Sequence, residues 1–415
     1  MTHVPAVASG LNRRQIVAWR NAIFVVFALP GLALASWVSR LPAARDILEV
    51  SPAQVGLLIL GISAGSIMGL IASSHIVAKI GAVTTVTWGV IVTAVGILIA
   101  GLSVTLGPSF GLTFVGLMVF GAATGITDVA MNVSGAANER ALGRSIMPIF
   151  HAFFSFGTMI GAGLGALAEL AGIPIATHLG LAGVVMVAAM LLVRRFIQSE
   201  HVIEGNGEPV AHDDVSMTWR GRLSIWRDPR ILLIGVVVLA AAFAEGSAND
   251  WLAIASVDGH GVPNETGALI FGVFVTAMTA GRLGGVFLLD KFGRVAVLRG
   301  SFMLAVIGLL TFIYVPYTPV AVIGVVLWGL GSALGFPIGM SAAADDPKTA
   351  AAKVSAVATI GYFAFLVGPP VIGLLGEYVG VLHALLIVLV LAVLGSLVAG
   401  AAREPAVPDT ATRLS

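Results

Sequence analysis

Residues 121–157 read GAATGITDVAMNVSGAANERALGRSIMPIFHAFFSFG. Two long apolar runs flank a short charged turn that holds Glu139, Arg140 and Arg144. Three polar side chains stand inside the runs: Asp128, Asn132 one helical turn further on, and His151. Runs of this length, with no apolar/polar alternation, predict two bilayer-crossing helices joined by a tight turn, because about 20 residues suffice for one crossing. A membrane strand would be half as long and would alternate. Ionisable groups at membrane depth are costly, so Asp128 and His151 point to function.

The rest of the chain has the same character. Of 415 residues, 58% are hydrophobic and 10% are charged, whereas soluble domains carry about 25% charge. The chain therefore reads as an integral membrane protein. Its net charge of +1 argues against a nucleic-acid partner. It has no cysteine, which excludes disulfides, thiolate metal sites and cysteine catalysis. GAGLGALAE, residues 161–169, superficially matches a dinucleotide-binding glycine pattern but lies within a membrane run and follows no strand. No catalytic constellation is present, and neither a cofactor nor a metal is expected.

A window of about 19 residues predicts twelve spans, near 17–39, 52–74, 80–102, 110–136, 146–170, 176–196, 231–256, 264–289, 295–316, 318–342, 352–377 and 379–402. The first begins after Arg13-Arg14, as a signal peptide would; the many spans that follow favour a first membrane helix with basic anchors. With the N-terminus inside, 20 of the 22 Lys and Arg fall on the cytoplasmic side, all but Arg40 and Arg45. That bias supports the span count and places both termini in the cytoplasm of a cell with the protein in its inner membrane. The one substantial polar stretch, 197–228, then joins a six-span bundle (1–196) to a second (229–415). It reads as a solvated linker with a basic, amphipathic end.

The two halves repeat. Gly69, Lys79 and Gly81 recur 212 residues later as Gly281, Lys291 and Gly293, and Gly165 with Glu169 recurs 208 later as Gly373 with Glu377. A six-plus-six repeat is a transporter architecture, with its site between halves near the midplane. The loop after span eight reads GRLGGVFLLDKFGR over residues 281–294. An acid and several bases at a helix end can latch one conformation and release it in another.

These residues resemble the signature loop of the major facilitator superfamily, G…D-[RK]-x-G-[RK]. Gly281, Asp290, Lys291, Gly293 and Arg294 match it; the copy after span two is degraded, with Ala78 in place of the acid. The resemblance covers nearly the whole chain and implies an all-α fold of twelve transmembrane helices in two pseudo-symmetric six-helix bundles. Within it, Asp128, Asn132, Glu139-Arg140 and Phe153-Phe154-Ser155-Phe156-Gly157 are similar to the fucose–proton symporter branch. That branch has a glutamate where Asp128 stands and a glutamine where His151 stands. The resemblance thus points to the sugar-permease-like subgroup rather than to the fucose permease itself. It implies a secondary transporter that moves a small polar solute, such as a sugar, with protons.

Asp128 and Asn132 share a helix face and read either as part of a cavity or as a packing pair. His151 reads as a proton relay, a substrate contact or an interfacial histidine. In span seven, AEGSANDW (residues 244–251) puts Glu245 near mid-membrane with Asn249 on the same face, and Asp250-Trp251 towards the outside. Asp128, Glu245 and His151 are the expected proton-coupling groups; Asn132, Phe154, Asn249, Asp250, Trp251 and Tyr362 are expected to meet substrate. Span ten is rich in Gly and Pro, and Gly368-Pro369-Pro370 interrupts span eleven. Both patterns predict gating kinks or close helix packing. The partners expected are a small solute, protons and lipid, with the protein a monomer. An exporter, an uncoupled facilitator and a transport-inactive receptor or scaffold share these features.

Overall fold

The structure, a computed structural model, describes residues 11–143, 146–198, 225–346 and 349–404. Helices dominate and no strand occurs among the described residues. Among the described residues twelve helices are long and apolar enough to cross a membrane: Arg13–Val38, Pro52–Ile80, Ala82–Thr105, Phe110–Leu142, Ile149–Leu170, Ile175–Phe196, Pro229–His260, Asn264–Gly285, Phe287–Tyr314, Thr318–Ala343, Lys353–Val379 and Val381–Ala402. All twelve predicted spans are present. One short helix, Leu41–Leu48, escaped the hydropathy pattern because it is only 8 residues long. Most of the polar linker lies outside the described residues.

The local chemistry of the helix ends explains where spans start and stop. Asn12 and Ser51 form capping boxes with Gln15 and Gln54 at the starts of spans one and two. Span four ends at Gly143, which adopts a left-handed conformation (φ 65°). The charged turn beyond it is closed by Glu139, whose carboxylate accepts the Ile146 N–H at 3.2 Å.

The internal repeat reaches the backbone. Gly81 turns the chain from span two into span three with φ 78° and ψ 158°. Gly293 does the same inside the long helix Asn264–Tyr314, with φ 72° and ψ 167°. That region of conformational space is essentially open to glycine alone, so both copies of the repeat keep Gly there.

By compactness the chain divides into two units. The first comprises Met1–Asp213, Ser247–Thr279 and Leu366–Leu385; the second comprises Asp214–Gly246, Ala280–Phe365 and Leu386–Ser415. Within the first unit, fully buried Trp19, Phe27, Phe120 and Phe150 centre the core of the first six spans. Spans two and four meet along a glycine seam. A Cβ on Gly65, Gly69, Gly121 or Gly125 would run into the facing backbone carbonyl of Met118, Ala122, Ile62 or Ser66. Spans one and five meet in the same way where Gly31 faces the Phe154 carbonyl and Gly157 the Ala28 carbonyl. In a bilayer, where apolar burial drives little association, such close van der Waals contact is what holds helices together. The second unit repeats the device: a Cβ on Gly308 would lie 2.5 Å from the Gly324 carbonyl, and one on Gly324 would lie 2.6 Å from that of Gly308.

Candidate functional site

In the first unit, Asp128 is half-buried in span four. Asn132 donates to the Asp128 backbone carbonyl at 2.8 Å and reaches its Oδ1 at 3.4 Å. The four-residue spacing read from the sequence thus becomes a physical pair. Among the described residues Asp128 has no cationic partner. The glycine seam with span two fixes the helix that carries it, because Gly125 and Gly121 lie about one and two turns before it.

His151 lies five residues into the helix Met147–Leu170, exposed, with its ring edge-on to Phe27 at 5.2 Å. Around it spans one and five share an aromatic cluster. Phe24 stacks on Phe153 at 4.3 Å, and Phe27 on Phe150 at 5.5 Å. Phe154, expected to meet substrate, is half-buried, and its carbonyl accepts the Thr158 hydroxyl at 3.0 Å.

The part of span seven that belongs to the first unit carries Asn249 and Asp250, both half-buried. Asp250 has no hydrogen bond or ion pair among the described residues. Trp251 is fully enclosed, and its indole N–H has no acceptor among the described residues. Its ring therefore packs inside the protein rather than lying at a lipid interface. Gly368 and Pro369 sit in a helix that continues through both prolines, from Ala350 to Val379. Span ten, where a kink was also expected, is broken: helices Thr318–Ser332 and Gly335–Ala343 are separated at residues 333–334.

In the second unit, Glu245 is paired. Arg282 Nη2 donates to both of its carboxylate oxygens at 2.9 Å, with the Glu245 side chain 19% exposed and the arginine 33%. The charge count put Arg282 in the cytoplasmic anchor set; the structure places it inside span eight, turned towards span seven. Its position within predicted span eight, well before the predicted end, was the available signal. Tyr362 is 45% exposed.

The signature loop is also resolved. Asp290 and Lys291 are exposed, with Lys291 over the Phe292 ring at 5.2 Å. Arg294 donates to Asp345 at 2.7 Å and to the Ser341 hydroxyl at 3.0 Å; Arg230 donates to the other Asp345 oxygen at 2.8 Å. Arg230 also caps the Ala401 and Arg403 carbonyls, each at 3.0 Å. The loop after span eight is thereby tied to the ends of spans seven, ten and twelve within its own unit. Gly281 serves packing, since a Cβ there would lie 2.7 Å from that of Ala333.

One polar cluster was not foreseen. Arg40, 4% exposed, pairs with Glu169 at 2.7 Å and donates to the Ile173 carbonyl at 2.8 Å. Burial lowers the Arg40 pKa from its ordinary value, and the nearby charge of Glu169 opposes that shift. His178 is buried beside them, with neither ring nitrogen partnered among the described residues. The repeat had marked Glu169 without revealing its partner.

The description Major Facilitator Superfamily matches residues 21–364 of the chain. An uncharacterised MFS-type transporter of Yersinia pestis is 32% identical over 381 residues, covering 90% of this chain and 92% of that protein. Among solved structures, the nucleoside transporter NupG superposes with a TM-score of 0.73 at 16% identity, covering 92% of this chain and 99% of that one. The E. coli fucose:proton symporter FucP superposes with a TM-score of 0.62 at 17% identity, covering 95% and 100%. At these identities the structural likenesses show the fold alone.

Proposed function

This chain belongs to the major facilitator superfamily and is a multi-pass membrane transporter, not an enzyme; from that premise we propose that it moves a small polar solute in symport with protons. The observation that carries this reading is Asp128: a carboxylate inside a membrane span with Asn132 as its hydrogen-bond partner and no cation beside it among the described residues. Such a group is costly as a bare anion, and a proton is the smallest ligand that neutralises it. Asn132 orients it. Asp250 offers a second unpaired acid, and Asn249 a neutral hydrogen-bonding group.

Glu245 plays a different part in this scheme. Arg282 already compensates its charge, so proton uptake there requires the arginine to let go. Phe154 and Tyr362 serve as substrate contacts in the cycle and His151 as a proton relay, with Asp290, Lys291, Gly293 and Arg294 gating at the signature loop. Gly281, Gly368 and Pro369 serve as packing and bending points. The domains follow the linker, with one six-helix bundle on either side of residues 197–228. On this reading the basic residues orient the protein with both termini in the cytoplasm, and it works in the inner membrane as a monomer. The fucose:proton symporter and the nucleoside transporter among its structural neighbours support a polar solute.

A thermal-stability screen of the purified protein against neutral sugars, polyols, nucleosides and organic acids at two pH values tests the reading. Ligand at a hundred times Kd stabilises the folded state by about 2.7 kcal/mol. One polar class is expected to raise Tm, with a pH dependence that disappears in Asp128→Asn. A pH-independent shift, or one unaltered in that variant, would contradict the role of Asp128.

A further inference from the structure

At the end of the first unit opposite the chain's N-terminus, the first six spans are fastened to spans seven and eleven by contacts that the transport reading does not use. The clearest is at the start of span two, where every backbone donor can be followed. The Ser51 N–H donates to Gln54 Oε1 at 2.9 Å, and the Gln54 N–H donates to the Ser51 hydroxyl at 3.4 Å. The Val55 N–H donates to the Ser51 carbonyl at 2.9 Å. Pro52 has no N–H. The helix's own sequence leaves the Ala53 N–H over, and Glu377, 324 residues away on span eleven, accepts it at 3.0 Å. A carboxylate there also faces the positive end of a 29-residue helix.

The backbones beneath this contact run close together. A Cβ on Gly373 would lie 2.6 Å from the Pro52 carbonyl oxygen, and one on Gly56 would lie 2.7 Å from that of Pro369. Alongside, Arg45 on the short helix Leu41–Leu48 bonds Asp258 at the end of span seven, and also Asp46 at 2.8 Å. Burial alone would lower the Arg45 pKa, but its hydrogen bonds to Asp258 and Asp46, with their charges, leave it raised.

The repeat gives this contact an internal control. Glu169 stands where Glu377 stands, 208 residues earlier. Glu169 is 17% exposed and pairs with buried Arg40 inside the first six spans. Glu377 is exposed and reaches from span eleven to span two. One copy therefore makes an enclosed joint within a half, whereas the other makes a joint in solvent between halves. A solvent-exposed hydrogen bond to a charged group is made and broken at small net cost, as a contact that must open in every cycle requires.

We propose that Glu377 on the span-two N-terminus and Arg45 with Asp258 form a releasable latch that holds this end of the transporter shut. Opening the end breaks both contacts and peels Gly373 and Gly56 from the facing carbonyls. The inference rests on alternating access alone and needs neither the identity of the solute nor proton coupling.

The absence of cysteine makes the test direct. Ala162→Cys places one thiol at a fully buried position of span five facing Gly272 of span eight, where a Gly272 Cβ would lie 3.7 Å away. Its alkylation by a membrane-impermeant maleimide is followed in proteoliposomes without substrate or pH gradient. Glu377→Ala with Asp258→Ala is expected to raise the rate roughly fivefold or more, by shifting the population towards the open state. Glu377→Gln, whose amide oxygen still accepts from Ala53, is expected to raise it less than Glu377→Ala. A control thiol at Ala35→Cys, against Gly161 in the static seam of spans one and five, should not respond. Unchanged labelling at residue 162 in the double variant overturns the proposal. A parallel rise at residue 35 overturns it too, because general loosening rather than a latch would then explain the effect.

Discussion

Asp128 and Glu245 are carboxylates inside membrane-crossing helices, and their neighbours separate them. Glu245, in the second unit, is clasped by Arg282 through both oxygens at 2.9 Å. Asp128, in the first, has only an asparagine at 3.4 Å. An acid that already holds a guanidinium is neutralised within the protein, and protonating it sacrifices that ion pair. An acid with a neutral partner is neutralised only by what arrives. Depth and residue type made these two groups look equivalent; the second helix that each one faces decides what it can do.

The comparison can be broken most readily at Arg282. Arg282→Ala strands Glu245 as an uncompensated charge in a largely apolar setting, which costs about 3 kcal/mol, the lower end for a pair that is partly exposed. Thermal denaturation in detergent should show a clear loss of Tm, with more than half of it recovered in the Arg282→Ala/Glu245→Ala double variant. A single variant as stable as the parent would mean that the pair is not formed. Next comes the seam that fixes Asp128. Gly121→Ala drives a methyl against the Ile62 carbonyl and is expected to cost about 1–3 kcal/mol, in the range of overpacked cores. Full stability in that variant would show that spans two and four do not pack as described. Asp128→Asn should be the mildest in stability, within about 1 kcal/mol of the parent, since no partner is left unpaired. If it destabilised as much as Arg282→Ala, Asp128 would have an ionic partner of its own and the contrast with Glu245 would collapse.

The fold was largely legible because membrane helices announce themselves one at a time. Length and hydropathy mark each span, and repeated glycines mark equivalent turns at Gly81 and Gly293. The site was legible only where its geometry is local. Asp128 and Asn132 are four residues apart on one helix, so their pairing follows from helical pitch. Arg282 and Glu245 are 37 residues apart on different helices, and a charge count cannot tell an anchoring arginine from one turned inward. Glu377 and Ala53 are 324 apart. The repeat made Glu377 conspicuous, but only the packed structure shows which helix it caps. Trp251 shows the same limit: its place towards the outside was read from sequence, but its full enclosure by neighbours is something hydropathy cannot see.

The central claim, that Asp128 carries the proton, is tested most directly by measuring proton entry alongside solute in proteoliposomes. The solute would be the one identified by the stability screen, and internal pH would be read with a trapped dye. The parent should acidify the lumen on solute addition. Asp128→Asn, folded and still binding, should lose at least about tenfold of that proton flux, equivalent to about 1.4 kcal/mol of coupling. Proton entry at the parental rate in that variant would contradict the account and move the coupling to another group.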